Sequence, residues 1–218
     1  MDSIITISRQ YGSGGREIGR RLAQRLGIPF YDNDSIMELA KDSPFQDSSF
    51  NKEEDMTANS LIYSIAMGLS SYNFREFGGL AMSIEDQIYM NQCAVIRKIA
   101  KEGPCVIVGR CADYILEQED NLIRFFVWAS FENRVLRAKE IYGDTHNKAQ
   151  ENILKIDKKR SSYYRYHSGK KWGRLDNYDM VFRSDLLGIE GTVDVMEQII
   201  NMKEYQKIED EVNVEEIL

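Results

Sequence analysis

The β-branched run Ser3-Ile4-Ile5-Thr6-Ile7-Ser8 stops at a glycine-rich turn, Gly12-Ser13-Gly14-Gly15, and an amphipathic pattern begins at once. No other feature of the chain narrows its fold as much. The run has the composition of a buried strand. After it, Ile18, Leu22 and Leu26 recur at helical spacing, Arg20, Arg21, Gln24 and Arg25 take the other faces, and Gly27 and Pro29 end the pattern. Strand, glycine turn and helix in that order present free N–H groups at a helix N-terminus, where hydrogen bonding and the helix dipole both favour an anion. Gly12, Gly14 and Gly15 permit positive φ angles and a close backbone approach. The turn is therefore read as a phosphate cradle, against the plainer reading of a tight turn alone.

The rest of the chain repeats the strand-then-helix rhythm. Residues 29–32 read as a second short strand and 35–41 as a helix. A long helix is expected over 85–101, ended by Gly103-Pro104. The apolar runs at 105–108 and 123–128 suit parallel strands covered on both faces. A helix over 132–142, a polar region, a fifth strand at 179–182 and a helix over 192–202 follow. This alternation predicts one α/β domain over residues 1–218, with a five-stranded parallel sheet between two helical layers. Residues 44–84 look like a helical insertion, and the acidic residues 203–218 like a partly ordered tail.

Composition excludes several function classes. The formal charge of -7 disfavours nucleic-acid binding, which needs a broad basic surface. Cys93, Cys105 and Cys111 form an odd set without a CxxC pair, so neither a disulfide framework nor a zinc knuckle is expected. His146 and His167 lack neighbours at metal-ligand spacing. No apolar run is long enough for a membrane span, and the first residues do not read as a secretion signal, so a cytoplasmic location is expected.

The segment S-R-Q-Y-G-S-G-G-R-E-I-G-R-R-L-A-Q-R-L-G-I-P-F-Y-D over residues 8–32 resembles the opening of the cytidylate kinase-like family. The resemblance returns at Val106-Ile107-Val108-Gly109-Arg110 and Ala112-Asp113-Tyr114. It implies a P-loop kinase fold with a helical acceptor-binding insertion and a basic lid. It also implies ATP and Mg2+ as cofactors, and phosphoryl transfer to a nucleoside monophosphate such as CMP or a similar phosphorylated acceptor. Small-molecule nucleotides are then the expected partners; the alternatives are a nucleotide-binding or regulatory protein that has lost catalysis and a partner-binding domain using the acidic tail.

Laid on the phosphate-loop pattern G-x-x-x-x-G-K-[ST], the chain has Arg9 at the first glycine, Gly15 at the lysine and Glu17 at the hydroxyl position. Arg16 and Arg9 are the candidates to restore the missing charge. Gly12, Ser13, Gly14, Gly15, Arg16 and Glu17 are taken as the donor-binding set, although Glu17 also reads as a first-turn helix acid. Asp32, at the carboxyl edge of the sheet, reads either as a ligand to hydrated Mg2+ or as a helix cap. By the resemblance, Arg110 contacts the acceptor phosphate, and Asp113 is a further acceptor-side candidate that also reads as a cap. Lys155, Lys158, Lys159, Arg160, Arg165, Lys170, Lys171 and Arg174 gather around one acid, Asp157. The matching lid, about 155–174, implies that Arg160 and Arg165 close over the transferring phosphate, where the plain alternative is a solvated helix face. In the insertion, the aromatic run from Tyr72 to Phe77 reads as a base platform with Arg75 on a phosphate, or as a small core of its own.

Overall fold

The structure is a computed structural model that describes residues 1–41 and 84–215. Five strands make one sheet: β1 (Ile4–Arg9), β2 (Phe30–Tyr31), β3 (Cys105–Val108), β4 (Leu122–Trp128) and β5 (Met180–Arg183). Their order is β2-β3-β1-β4-β5, with every pairing parallel. β1 lies at the centre because its residues are covered on both faces. Ile5 and Ile7 point to one layer and Ile4 to the other, all with 2% or less of their surface exposed.

The helices are α1 (Gly15–Leu26), α2 (Asn33–Lys41), α3 (Ile84–Glu102), α4 (Ala112–Ile115), α5 (Phe131–Tyr142), α6 (His146–Ser168) and α7 (Ser184–Glu215). On one face, Ile18 and Leu22 of α1 and Val193, Met196 and Ile200 of α7 pack on Ile5, Ile7, Val106 and Phe125. On the other, Ile36 of α2, Ile96 and Ile99 of α3 and Tyr164 of α6 pack on Ile4 and Ile107. A smaller cluster, Val135, Ala138, Ala149 and Ile153, joins α5 to α6 and touches Tyr11. The expected five-stranded parallel sheet between helical layers is thus what the chain forms.

Three differences from the sequence reading have physical causes. The polar region expected between α5 and β5 contains the 23-residue helix α6, whose described buried residues are only Ala149, Ile153 and Tyr164. So sparse an apolar stripe gives a weak periodic signal. The last helix begins earlier than expected, at Ser184, and is broken at Gly188 (φ 70°). The acidic tail is helical as far as Glu215; Lys203 donates to the Leu122 carbonyl (2.9 Å), and Glu204 accepts the Asp2 and Ser3 N–H groups (3.1 and 3.0 Å). The insertion, with its aromatic run and Arg75, lies outside the described residues.

Asp113 is also placed otherwise than expected. It sits in the first turn of α4, only 4% exposed, and faces the sheet, where the Tyr164 hydroxyl donates to it at 2.7 Å and the Ser8 hydroxyl at 3.4 Å. Burial raises its pKa above the ordinary carboxylate value despite these two donors. A raised folded-state value favours folding below the unfolded pKa and disfavours it as pH rises through the folded one. Asp113→Asn should therefore gain in melting temperature over the parent as pH rises from the ordinary carboxylate value toward the raised one in thermal denaturation. A margin independent of pH would mean that Asp113 does not titrate in this way.

Candidate functional site

The glycine turn leaves the carboxyl end of β1 and is tied down from beneath. Gln10 N–H donates to the Val127 carbonyl (3.0 Å). The buried Ser13 hydroxyl donates to the Gln10 carbonyl (2.9 Å), and the Ser184 hydroxyl to the Ser13 carbonyl (2.6 Å). Tyr11 N–H donates to Asp157 of α6 (2.7 Å), whose other oxygen pairs with Arg134 of α5 (2.5 Å). Ser13 therefore shapes the turn by its side chain rather than lining the space above it. Gly12 and Gly14 carry φ angles of 78° and 80°. A Cβ on Gly12 would lie 2.8 Å from the Arg134 carbonyl oxygen, and one on Gly14 would collide with the Ile189 side chain. Both glycines are thus required by the turn itself, and Gly14→Val would strain the backbone whether or not a ligand is bound.

Two cavities open on either side of Arg9. The first, about 870 Å³, is lined by the turn, α1, Asp32, Arg137, Tyr142 and Arg160. The second, about 630 Å³, is lined by Ser8, Gly109, Arg110, Gln92, Tyr163 and Trp172 among others. Arg9 and Arg160 line both. This is the crevice that strand order predicts, since β1 lies between β3 and β4 and the crossovers leave it in opposite directions.

The charged residues at the first cavity divide into paired and unpaired groups. Arg16 Nε donates to Asp32 (2.7 Å), and its guanidinium also reaches Asp34 (3.1 Å). The other Asp32 oxygen accepts the Asp34 and Ser35 N–H groups (3.0 and 3.2 Å), which makes it the cap of α2. Burial would raise the Asp32 pKa, but the Arg16 bond and these N–H groups hold it below its usual value. Glu17 pairs with Arg21 and with Arg137, a residue of α5 for which the sequence carried no signal. Against burial, these bonds keep Glu17 ionised.

With both Asp32 oxygens engaged and Glu17 held between two arginines, these carboxylates do not fit a resident magnesium site. Among the described residues no cluster of three or more His, Cys, Asp or Glu could hold a metal ion. A magnesium ion here would arrive with a triphosphate, held by phosphate and water.

Arg9, Arg110 and Arg160 are different: no described carboxylate pairs with any of them. Arg160 donates to the Arg9 carbonyl (2.9 Å), and its guanidinium lies over the Tyr11 ring. Arg110 lies over the Tyr163 ring at 5.6 Å, with its Nε buried and without a partner among the described residues. It is held on a run of positive φ angles at Gly109, Arg110 and Cys111 (84°, 62° and 56°), an uncommon conformation for the last two. Burial, then the nearby Arg160 and Arg110, lower the Arg9 pKa to about 9. Burial likewise lowers that of Arg160.

Arg165 does not join this cluster. It is exposed and lines neither cavity, because five residues of helix turn a side chain about 140° from Arg160. Tyr11 and Tyr142, stacked with centroids 5.3 Å apart, also line the first cavity and were not found from the sequence. Their rings meet only when α5 packs beside the turn.

Comparison with known proteins agrees with this architecture. A crystal structure of an uncharacterized protein from Eubacterium ventriosum superimposes with a TM-score of 0.70 at 25% identity, covering 92% of this chain and 99% of that one. Shikimate kinase from Bacteroides thetaiotaomicron superimposes at 0.52 with 14% identity, over 92% of this chain and 99% of that one. Shikimate kinase from Acinetobacter baumannii, in complex with shikimate, superimposes at 0.51 with 14% identity, over 93% and 95%. In sequence, 28% identity over 92 residues links the chain to shikimate kinase of Actinobacillus succinogenes, across 39% of this chain and 50% of that protein. The chain thus spans about half the length of that curated relative. A parallel sheet in the order β2-β3-β1-β4-β5, a glycine turn at the end of its central strand and a family match over residues 4–186 converge: the chain belongs to the cytidylate kinase-like family.

Proposed function

We propose that this protein transfers the terminal phosphoryl group of ATP to a small phosphorylated acceptor, with a nucleoside monophosphate such as CMP as the first choice. The observation that carries this reading is the group of three arginines, without carboxylate partners among the described residues, where the two cavities meet, in a chain of net charge -7. Like charges gathered in a partly desolvated place are unfavourable until an anion enters, and charge spread over a transferring phosphoryl group is such an anion. The turn and α1 would take the triphosphate in the larger cavity. Arg110 would hold the acceptor's phosphate in the smaller one, and Arg160 would serve both.

In the transfer, an acceptor oxygen forms a bond to the γ-phosphorus while the bond to the β–γ bridging oxygen breaks. That oxygen leaves with the electron pair as part of ADP. Magnesium, arriving with ATP, would supply charge neutralisation on the phosphates. The protein's own part is positioning, fixed N–H donors and guanidinium charge.

The absent loop lysine and hydroxyl favour a second reading, a nucleotide binder without catalysis. Melting temperatures measured with nucleoside mono- and triphosphates in the presence of magnesium, followed by turnover assays, separate the two. ATP should raise the melting temperature, as any ligand confined to the folded state does. Turnover should then appear with at least one monophosphate; a shift without turnover on any acceptor, shikimate included, supports the binder. Arg110→Ala should raise the acceptor KM by about 10–100-fold, the scale of one lost charge-assisted hydrogen bond in a buried site, and leave ATP affinity within about twofold. Equal losses for both ligands would contradict the division of the cavities.

A further inference from the structure

Gly15 and Arg9 occupy, respectively, the lysine and first-glycine positions of the phosphate-loop pattern, and the structure brings these two positions into contact. A Cβ built on Gly15 would lie 2.5 Å from the Arg9 Cβ and 3.0 Å from its Cγ. The space in which a side chain would leave the first turn of α1 is filled by the stem of Arg9. Farther out, the Arg9 guanidinium lies against Gly109 at the end of β3, so close that a Cβ there would overlap it. The head group therefore reaches from the end of β1 into the gap between the cavities, and it borders both.

We propose that Arg9 is the phosphate-loop cation of this protein, delivered over Gly15 from the end of β1 instead of over a glycine from the first turn of α1. The two unusual residues are then one exchange. A long cationic side chain must cross the start of the turn, only one stem fits there, and the residue beneath it must lack a side chain. In the common pattern the cation belongs to the helix and the glycine to the strand; here each has moved to the other's place.

The inference rests on the proposed phosphoryl transfer and deepens it by assigning the charge that transfer needs. Arg16, the nearer candidate by sequence, is bonded to Asp32 and Asp34, whereas no described carboxylate bonds to Arg9, whose charge feels Asp32 only at a distance and is opposed by Arg160 and Arg110. Arg9 donates N–H groups to the oxygens of the transferring phosphoryl group and exchanges no proton. The bond-making and bond-breaking steps are those given above. Such a residue is costly to the empty protein and favourable once a polyphosphate is bound, which separates a catalytic role from a structural one.

The test begins with calorimetric binding of ATP and inorganic tripolyphosphate to the parent protein, and with its turnover. Arg9→Met should lower kcat by about 100-fold or more, the cost of one lost preorganised donor. It should weaken tripolyphosphate binding at least about tenfold, as losing a charge-assisted contact does. Its melting temperature without ligand should stay level or rise, because a cation has left the company of two others. Gly15→Lys alone should be impaired, since its stem meets that of Arg9. Arg9→Gly/Gly15→Lys, which restores the common pattern, should exceed Arg9→Gly in both turnover and tripolyphosphate affinity.

Parent-like kcat and tripolyphosphate affinity in Arg9→Met would overturn the inference while leaving the proposed function standing. A marked loss of melting temperature in Arg9→Met with unchanged tripolyphosphate affinity would overturn it in favour of a structural role. A folded double variant no better than Arg9→Gly would overturn the exchange; if the double variant does not fold, the Arg9→Met measurements decide. A parent that binds neither ATP nor tripolyphosphate would overturn the proposed function and this inference together.

Discussion

Repulsion of Arg9 by the neighbouring Arg160 and Arg110 is the constraint around which the site is arranged. No described carboxylate pairs directly with any of the three; Asp32 favours the charge on Arg9 and Asp157 that on Arg160, yet burial still depresses the pKa of both. The surrounding structure holds the three in place by other means. Arg160 is fixed by the Arg9 carbonyl and the Tyr11 ring, and Arg110 by the Tyr163 ring and a run of left-handed backbone. Arg9 is confined between Gly15 and Gly109, where only glycines leave it room. Conformational strain and unpaired charge gathered at one place are features that folding alone does not reward.

The brace beneath the turn has the opposite character, since Asp157 and the hydroxyls of Ser13 and Ser184 are hydrogen-bonded and only the Arg134 Nε is buried without a described partner. Asp157 and Arg160 lie three residues apart on one face of α6. The first accepts the Tyr11 N–H and pairs with Arg134; the second donates to the Arg9 carbonyl. One helix face therefore grips the turn at two successive points. Because α6 is seated on α5 through Val135, Ala138, Ala149 and Ile153, the apolar contact of two helices sets the position of the glycine turn. The basic segment that reads as a lid in the sequence is, in this structure, also the support of the loop it faces.

Much of the fold could be read directly. The β-branched and aromatic runs of β1, β3 and β4 are buried on both faces and show as continuous apolar stretches, and α1 has a clear four-residue recurrence of apolar positions. α6 could not be read, because its core contacts fall on a small alanine, one isoleucine and a tyrosine among many charges. The site was legible in part. Gly12, Gly14, Arg110 and Arg160 line the two cavities, whereas Arg165 faces solvent, Asp113 faces the core, and Asp32 caps α2 while holding Arg16.

The sequence by itself determined the local features: a strand, a glycine turn with exposed N–H groups, a helix, and the alternation that builds a parallel sheet. These follow from backbone hydrogen bonding, glycine conformations and short-range periodicity, all of which act between near neighbours in the chain. Only the tertiary structure decided which charges remain free. Arg16 is engaged by Asp32, sixteen positions away, and Glu17 by Arg137, 120 positions away, while Arg9 has no carboxylate bonded to it among the described residues. Whether a cation is available to a ligand depends on whether an opposite charge can reach it first, and that is set by how distant elements pack rather than by the residues beside it.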